Sequence, residues 1–172
     1  MSYVNLIRNG AFVLGLSVLS LSACSSGNFT NSAFSNSKVS VAEVPNLGSY
    51  TADTALYEAR NHFRNDDFGY SAAFYKRVVE LTPRNPEGYV GLGASYDRLR
   101  RFDLADRVYA KLLKVSGASV QYYNNVGYSY MLRGDLKAAL INFRKAQSLA
   151  PDNEVVANNI RILANAAGAS NA

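Results

Sequence analysis

The order of apolar and polar residues divides the chain into a leader, a polar connector and a helical domain. A mostly apolar, uncharged run covers residues 11–21, and a stretch rich in Ser, Asn and Gly follows it. From residue 52 onwards, helical patterns alternate with short polar turns, as expected of amphipathic helices. The predicted boundaries are a leader over 1–23, a connector over 24–51, a helical domain over 52–167 and a disordered tail over 168–172.

The helical domain is predicted to contain three pairs of helices. The two helices of each pair are separated by a short turn that contains an aspartate. We expect Asp67, Asp103 and Asp135 to lie at the start of the second helix of their pair, where side-chain oxygens cap backbone amides. After Pro151 a further apolar pattern predicts a seventh helix that caps the end of the array. The six paired helices are expected over residues 53–64, 68–81, 87–99, 103–115, 120–132 and 136–149.

The three pairs repeat one pattern every 34 residues, in segments that begin at Ala52, Pro86 and Val120. The second segment places Tyr, Leu-Gly, Tyr, Ala and Tyr where a tetratricopeptide repeat has Trp, Leu-Gly, Tyr, Ala and Phe, and the third segment is similar. The first segment matches only in its second half, as is usual for a terminal repeat. The domain therefore resembles an all-α tetratricopeptide solenoid of three hairpins plus a C-terminal capping helix.

Small residues in this pattern are expected where two helices of a hairpin cross. Gly93 and Gly127 occupy that position in the second and third hairpins, and Ala59 occupies it in the first. Helix ends are also marked, because Pro83 and Pro151 cannot continue a helix and Gly117 is a typical C-terminal residue.

The leader resembles a bacterial lipoprotein signal peptide. Its apolar core is too short to span a membrane as a helix, which needs roughly 20 residues. It ends in Leu21-Ser22-Ala23-Cys24, which resembles the lipobox whose cysteine is lipidated and becomes the new N-terminus. The alternatives are an ordinary signal peptide or an uncleaved anchor. Ser25 follows the cysteine, and by resemblance to enterobacterial sorting this implies the periplasmic face of the outer membrane.

The connector over residues 24–51 has no helical or strand period. Its composition is typical of a flexible linker, which would give a lipid-anchored domain reach.

Composition excludes several classes of function. The sequence contains 18 Lys and Arg against 13 Asp and Glu, a net charge of +5 that is too dispersed to favour nucleic-acid binding. One cysteine and one histidine cannot build a four-ligand zinc site, so no metal and no cofactor other than the lipid are expected. The basic residues of the middle hairpin indicate a solvated face, with an acidic partner or anionic lipid as the alternative.

The candidate enzyme motifs in the sequence do not fit the predicted helices. Gly88, Gly91 and Gly93 lack the last glycine of a dinucleotide-binding loop and lie inside a predicted helix. His62 falls on a core position of the first repeat, which favours a structural histidine over a catalytic base. The sequence therefore predicts no catalytic residue.

The first helices of such hairpins line the concave side of the stack, where partners bind. The groove positions offer apolar side chains, amides that can bond a peptide backbone, and an arginine that can meet a carboxylate. No lysine occupies them, so recognition of a C-terminal carboxylate by a lysine clamp is not expected. The predicted partner-binding residues are Arg60, Phe63, Val90, Asp97, Gln121, Asn124, Asn125, Tyr128 and Met131.

Two segments carry a closer resemblance. Residues 123–135 and 156–160 are similar to the N-N-L-G-Y-S-Y-x-L-x-G-D and N-N-L wording of tetratricopeptide lipoproteins of Flp/Tad pilus assembly. The resemblance implies an assembly factor, or pilotin, that places the outer-membrane secretin of a pilus or type II-like secretion system. The alternatives are an adaptor for peptidoglycan enzymes and a structural subunit of another envelope complex.

Overall fold

A computed structural model describes residues 40–169 of the chain. The predicted leader, Cys24 and most of the predicted connector lie outside the described residues. After a short 3-10 turn at Leu47–Ser49, the helices are α1 (Ala52–Arg64), α2 (Phe68–Leu81), α3 (Pro86–Arg98), α4 (Phe102–Ser116), α5 (Val120–Leu132), α6 (Leu136–Leu149) and α7 (Glu154–Ala169).

The predicted all-α architecture is confirmed, since the described residues form three helical hairpins and a seventh helix, with no strand. The bounds of α1 to α6 differ from the predicted ones by at most one residue. The predicted disordered tail is wrong at its start, because α7 continues to Ala169, and residues 170–172 lie outside the described residues.

The helices stack as two walls. Neighbouring first helices contact each other in the order α1, α3, α5 and α7, whereas α2, α4 and α6 make no contact with one another. Helices that touch on one side of a stack and separate on the other produce a curved array. We call α1, α3, α5 and α7 the inner wall, and α2, α4 and α6 the outer wall.

Small residues let the two helices of each hairpin approach closely, as predicted. A Cβ built on Gly93 would lie 2.5 Å from Tyr109 Cε1, and one built on Gly127 would lie 2.7 Å from Phe143 Cδ1. In the first hairpin Ala59 is fully buried. The matching small residues of the second helices are also fully buried; these are Ser71, Ala105 and Ala139.

The three aspartates of the turns differ in their contacts. Asp135 accepts a hydrogen bond from the backbone amide of Ala138 at 2.9 Å, which confirms its predicted capping role. Asp67 precedes α2 without a capping bond from its side chain, and Asp103 lies in the first turn of α4.

A residue in the left-handed conformation closes every hairpin. Asp66, Arg100 and Gly134 are spaced 34 residues apart and have φ values of 59°, 57° and 84°. Only glycine adopts this conformation without steric cost.

Gly134→Ala is therefore expected to lower the free energy of unfolding by about 1 kcal/mol, because a Cβ disfavours the left-handed conformation. Arg100→Gly, at the equivalent position, is expected to leave stability unchanged or to raise it. Thermal unfolding followed by circular dichroism measures both changes. A Gly134→Ala variant that is as stable as the wild type would show that the left-handed conformation at residue 134 does not limit stability.

Residues 42–51, which we call the N-terminal strap, pack against the first hairpin. The Arg77 guanidinium donates to the backbone oxygens of Gly48 at 2.8 Å and Tyr50 at 3.4 Å. The Tyr50 ring meets the Phe74 ring edge-on, with centroids 5.0 Å apart. The prediction of a flexible linker is therefore wrong over the strap, because tertiary contacts hold a segment that has no periodicity of its own.

Candidate functional site

A groove crosses the C-terminal half of the inner wall. It has a volume of about 350 Å³ and is bounded by α3, α5 and the start of α7. The groove, called the inner groove below, is lined by Val90, Val120, Gln121, Asn124, Asn125, Asn153, Val155 and Val156.

Four of the nine predicted partner-binding residues meet in the inner groove, namely Val90, Gln121, Asn124 and Asn125. The contribution of α7 was missed, because its segment was interpreted only as a cap. A signal was present in the sequence, since Asn158 and Asn159 follow Asn124 and Asn125 by one 34-residue period.

Two neighbouring amides present opposite hydrogen-bonding groups. Asn124 Oδ1 accepts a bond from Asn159 Nδ2 at 2.8 Å, which leaves its Nδ2 as a donor. Asn125 Nδ2 donates to the Gln121 carbonyl at 2.8 Å, which leaves its Oδ1 as an acceptor. A donor beside an acceptor matches the alternating C=O and N–H groups of an extended peptide.

The N-terminal half of the inner wall is occupied by contacts within the protein. Arg60 forms an ion pair with Glu87 across α1 and α3, and its Nε donates to Glu87 Oε1 at 2.8 Å. The Phe63 ring packs edge-on against Phe68 with centroids 5.3 Å apart. These two predicted residues therefore lie on the inner wall, apart from the inner groove.

Tyr128 and Met131 are half-buried and pack against the core of the third hairpin. That core is formed by Ala139 and Phe143 of α6 and Leu163 of α7. Tyr128 and Met131 therefore contribute to the packing of the third hairpin, and part of each side chain remains exposed.

The prediction that Asp97 binds a partner is wrong, because its side chain is buried between the second and third hairpins, with an exposed fraction of 2%. Its Oδ2 accepts from the Tyr109 hydroxyl at 2.8 Å and its Oδ1 from the Ser129 hydroxyl at 2.6 Å. Arg133 donates to the Ser129 oxygen at 2.8 Å and also pairs with Asp106. Asp97 therefore joins the hairpins and has no surface to offer a ligand.

Burial sets the protonation of this network. Loss of solvation raises the pKa of the Asp97 carboxyl, against the opposing effects of the Ser129 and Tyr109 hydrogen bonds and the Arg133 charge. Burial, followed by the neighbouring Asp97 charge, raises the pKa of Tyr109 well above its ordinary value, so its hydroxyl remains a donor.

His62 has the structural surroundings predicted for it. Its ring is half-buried and makes stacked contacts with the rings of Tyr70 and Phe74, with centroid distances of 5.1 and 5.5 Å. In the part of the chain that the structure describes, no group of three His, Cys, Asp or Glu side chains is placed to hold a metal ion. Over those same residues, no helix combines the length and apolar character required to cross a bilayer.

Comparisons with known proteins agree with this architecture. The family model described as "Tetratricopeptide repeat" matches residues 120–153, which are α5, α6 and the turn that follows. The fold is a tetratricopeptide-repeat solenoid. A comparison with curated protein sequences finds no match.

Solved tetratricopeptide domains have the same fold at low identity. The TPR domain of Arabidopsis OM64 has 19% identity and a TM-score of 0.58, over 66% of this chain and 94% of that one. The first TPR of Spaghetti (RPAP3) bound to the HSP90 peptide SRMEEVD has 18% identity and a TM-score of 0.57, over 68% and 93% of the two chains. The TPR2B domain of yeast Sti1 in a pHsp70 complex has 17% identity and a TM-score of 0.59, over 68% and 96%.

Proposed function

We propose that this chain is a non-enzymatic scaffold, without a cofactor, that holds an extended segment of a partner protein in the inner groove. The observation that carries the proposal is the pair of amides at Asn124 and Asn125, which offer a donor and an acceptor beside an apolar lining. Backbone hydrogen bonds with apolar contacts between them suit recognition of a peptide. Two of the similar solved structures are complexes of tetratricopeptide domains with an HSP90 peptide and with pHsp70.

The chemistry of the inner groove favours an uncharged ligand. All eight lining residues are uncharged, and Arg60, the one arginine predicted to bind a partner, is already paired with Glu87. An acidic peptide such as the SRMEEVD peptide bound to RPAP3 would meet no cation in the lining of the inner groove. We therefore propose a segment that alternates polar and small apolar side chains.

The cellular setting is proposed from the leader. Leu21-Ser22-Ala23-Cys24 supports a lipid anchor at Cys24, and Ser25 supports placement on the periplasmic face of the outer membrane. The similarity of residues 123–135 and 156–160 to Flp/Tad lipoproteins supports a role as a pilotin or assembly factor for that pilus or a type II-like secretion system. The expected partner is then the secretin or another component of the same machinery.

Lipidation is tested separately from partner binding. Intact mass spectrometry of the chain purified from bacterial membranes is expected to show a mature N-terminus at residue 24 carrying acyl groups. Cys24→Ser is expected to abolish the added mass. A chain that keeps residues 1–23 or carries no lipid would contradict the anchor and leave the groove proposal standing.

The groove is tested by comparing two asparagines in equivalent surroundings. Asn125 and Asn142 each donate Nδ2 to the carbonyl four residues earlier, at 2.8 and 2.9 Å, on the inner and outer walls respectively. Asn125→Ala is expected to weaken binding of the purified secretin about fivefold, because one peptide hydrogen bond contributes on the order of 1 kcal/mol. Asn142→Ala is expected to bind like the wild type in a titration by isothermal calorimetry.

Two other outcomes distinguish the alternatives. Recovery of peptidoglycan hydrolases with the wild-type chain from solubilised envelopes would favour an adaptor for those enzymes. An equal loss of binding in both asparagine variants would contradict the inner groove as the binding site.

A further inference from the structure

Charge is distributed unequally between the two walls. The helices α2, α4 and α6 carry eight Lys and Arg and three acidic residues, a net charge of +5. The helices α1, α3, α5 and α7 carry four Arg and five acidic residues, a net charge of −1. The positive charge of the described domain is therefore concentrated on the outer wall, on the side away from the inner groove.

Among the described residues, the acidic residues of the outer wall neutralise one of its cations, Arg77, which pairs with Glu80. Asp106 pairs with Arg133, Asp103 pairs with Arg101, and Glu80 pairs with Arg77. Within residues 40–169, seven exposed cations of these helices form no ion pair: Lys76, Arg107, Lys111, Lys114, Lys137, Arg144 and Lys145.

These cations extend over more than one helix. Arg107, Lys111 and Lys114 follow one another at four and three residues and so share a face of α4. Lys111 and Lys145 are one 34-residue period apart, which places them at equivalent positions of consecutive hairpins. A charge spread across the three helices of the outer wall suits an extended surface better than a single bound segment.

Large apolar side chains are exposed among these cations. Ile141 and Leu149 of α6 have exposed fractions of 49% and 54%, and Leu113 of α4 has 39%. A cleft of about 320 Å³ lies beside α4. Its lining includes the apolar residues Val79, Leu92 and Val108 and the basic residues Arg107 and Lys111. Basic residues interspersed with apolar ones are the composition of surfaces that lie in the headgroup region of a bilayer.

We propose that the outer wall lies against a membrane surface rich in anionic lipid headgroups. Such a surface attracts each nearby Lys or Arg and accepts separate apolar side chains at the depth of the headgroups. The inner groove would then face away from the membrane and remain open to its partner. This orientation is independent of which protein occupies the groove.

The test uses residues 24–172 with Cys24→Ser, which contain every described residue and lack both the predicted leader and the lipid. Co-sedimentation is measured with vesicles of phosphatidylcholine, with and without phosphatidylglycerol. The chain is expected to sediment only with the anionic vesicles, and progressively less as the salt concentration rises. Circular dichroism verifies that each variant retains its helices.

Two charge-reversal pairs change the net charge equally at different places. Lys111→Glu with Lys114→Glu alters the outer wall, and Arg64→Glu with Arg161→Glu alters exposed ends of the inner wall. The first pair is expected to reduce the vesicle partition coefficient by at least about tenfold, and the second pair to reduce it much less. Equal losses in both pairs, or no binding to anionic vesicles, would overturn the proposal. If the chain is retained on immobilised polyglutamate but does not bind vesicles, the membrane proposal is wrong and the outer wall binds an acidic protein instead.

Discussion

Gly91→Ala is expected to lower the free energy of unfolding by about 3 kcal/mol. A Cβ at residue 91 would overlap three carbons of the Tyr75 ring, and that ring is packed between the first and second hairpins with only 6% of its surface exposed. Alanine favours helix by up to about 1 kcal/mol, but relief of the overlap requires the buried Tyr75 ring to move within the packed contact between the hairpins. Urea denaturation followed by circular dichroism measures the difference.

A second glycine provides the matched control. Gly168 lies in α7, and among the described residues no heavy atom beyond its chain neighbours and the local helix backbone lies within 4 Å of the position that a Cβ would take there. Gly168→Ala is therefore expected to leave stability unchanged or to raise it slightly. Combining Gly91→Ala with Tyr75→Leu is expected to recover part of the lost stability, because the smaller side chain makes room for the methyl group. Equal stability of the two single glycine variants would show that the hairpins do not depend on close approach at residue 91.

Asp97→Ala is expected to lower the free energy of unfolding, measured by urea denaturation, by about 2–4 kcal/mol. The substitution removes the acceptor of two buried hydroxyl groups. The donors left without it belong to Tyr109 and Ser129, which lie in different hairpins. Tyr109→Phe removes one bond and is expected to cost about 1 kcal/mol. Asp152→Ala, an exposed aspartate before α7, is the control and is expected to change stability by less than about 0.5 kcal/mol.

The buried Asp97 carboxyl also predicts that the free energy of unfolding depends on pH. Burial raises the pKa of Asp97 above its ordinary value of 3.8. A carboxyl with a raised pKa in the folded chain binds its proton more tightly there, so it contributes stability below the ordinary value and loses that contribution as pH rises through the raised value. The stability of the wild type relative to Asp97→Asn is therefore expected to fall as the pH rises above the ordinary value of 3.8. A difference that rises over this range would contradict the buried environment.

The helices were predictable because steric rules repeat with the sequence period. Gly93 and Gly127 each face the aromatic residue 16 positions later in their own hairpin, and the left-handed turn residues recur with the same period. Pro83 and Pro151 follow the ends of α2 and α6 closely, as their missing amide protons require. Such local constraints are visible in one chain without knowledge of its tertiary contacts.

The environment of Asp97 was not predictable from its repeat position. The equivalent residues Phe63 and Met131 remain half-exposed, whereas Asp97 is covered because Tyr109 and Ser129 supply hydroxyl groups toward it. The available signal was the tyrosine at residue 109, where the next hairpin has Phe143. The buried Asp97 carboxylate accepts from its own hairpin and from the next one, and the meeting of these donors is a tertiary property.

The strap and the C-terminal side of the inner groove illustrate two further limits. The strap has no period, so its contacts with Arg77 and Phe74 arise only from the folded surface of α2. The groove residues of α7 did have a signal, because Val155 follows Gln121 by 34 residues. Interpretation of α7 as a cap alone concealed its similarity to a first helix.

Site-specific photo-crosslinking in intact cells tests most directly whether the inner groove holds a partner. A photoreactive residue at position 125 is expected to form one discrete adduct with an envelope protein, and the same residue at position 142, on the outer wall, is expected to form none with that protein. Adducts of the same size from both positions, or no protein adduct from position 125, would contradict partner binding in the inner groove.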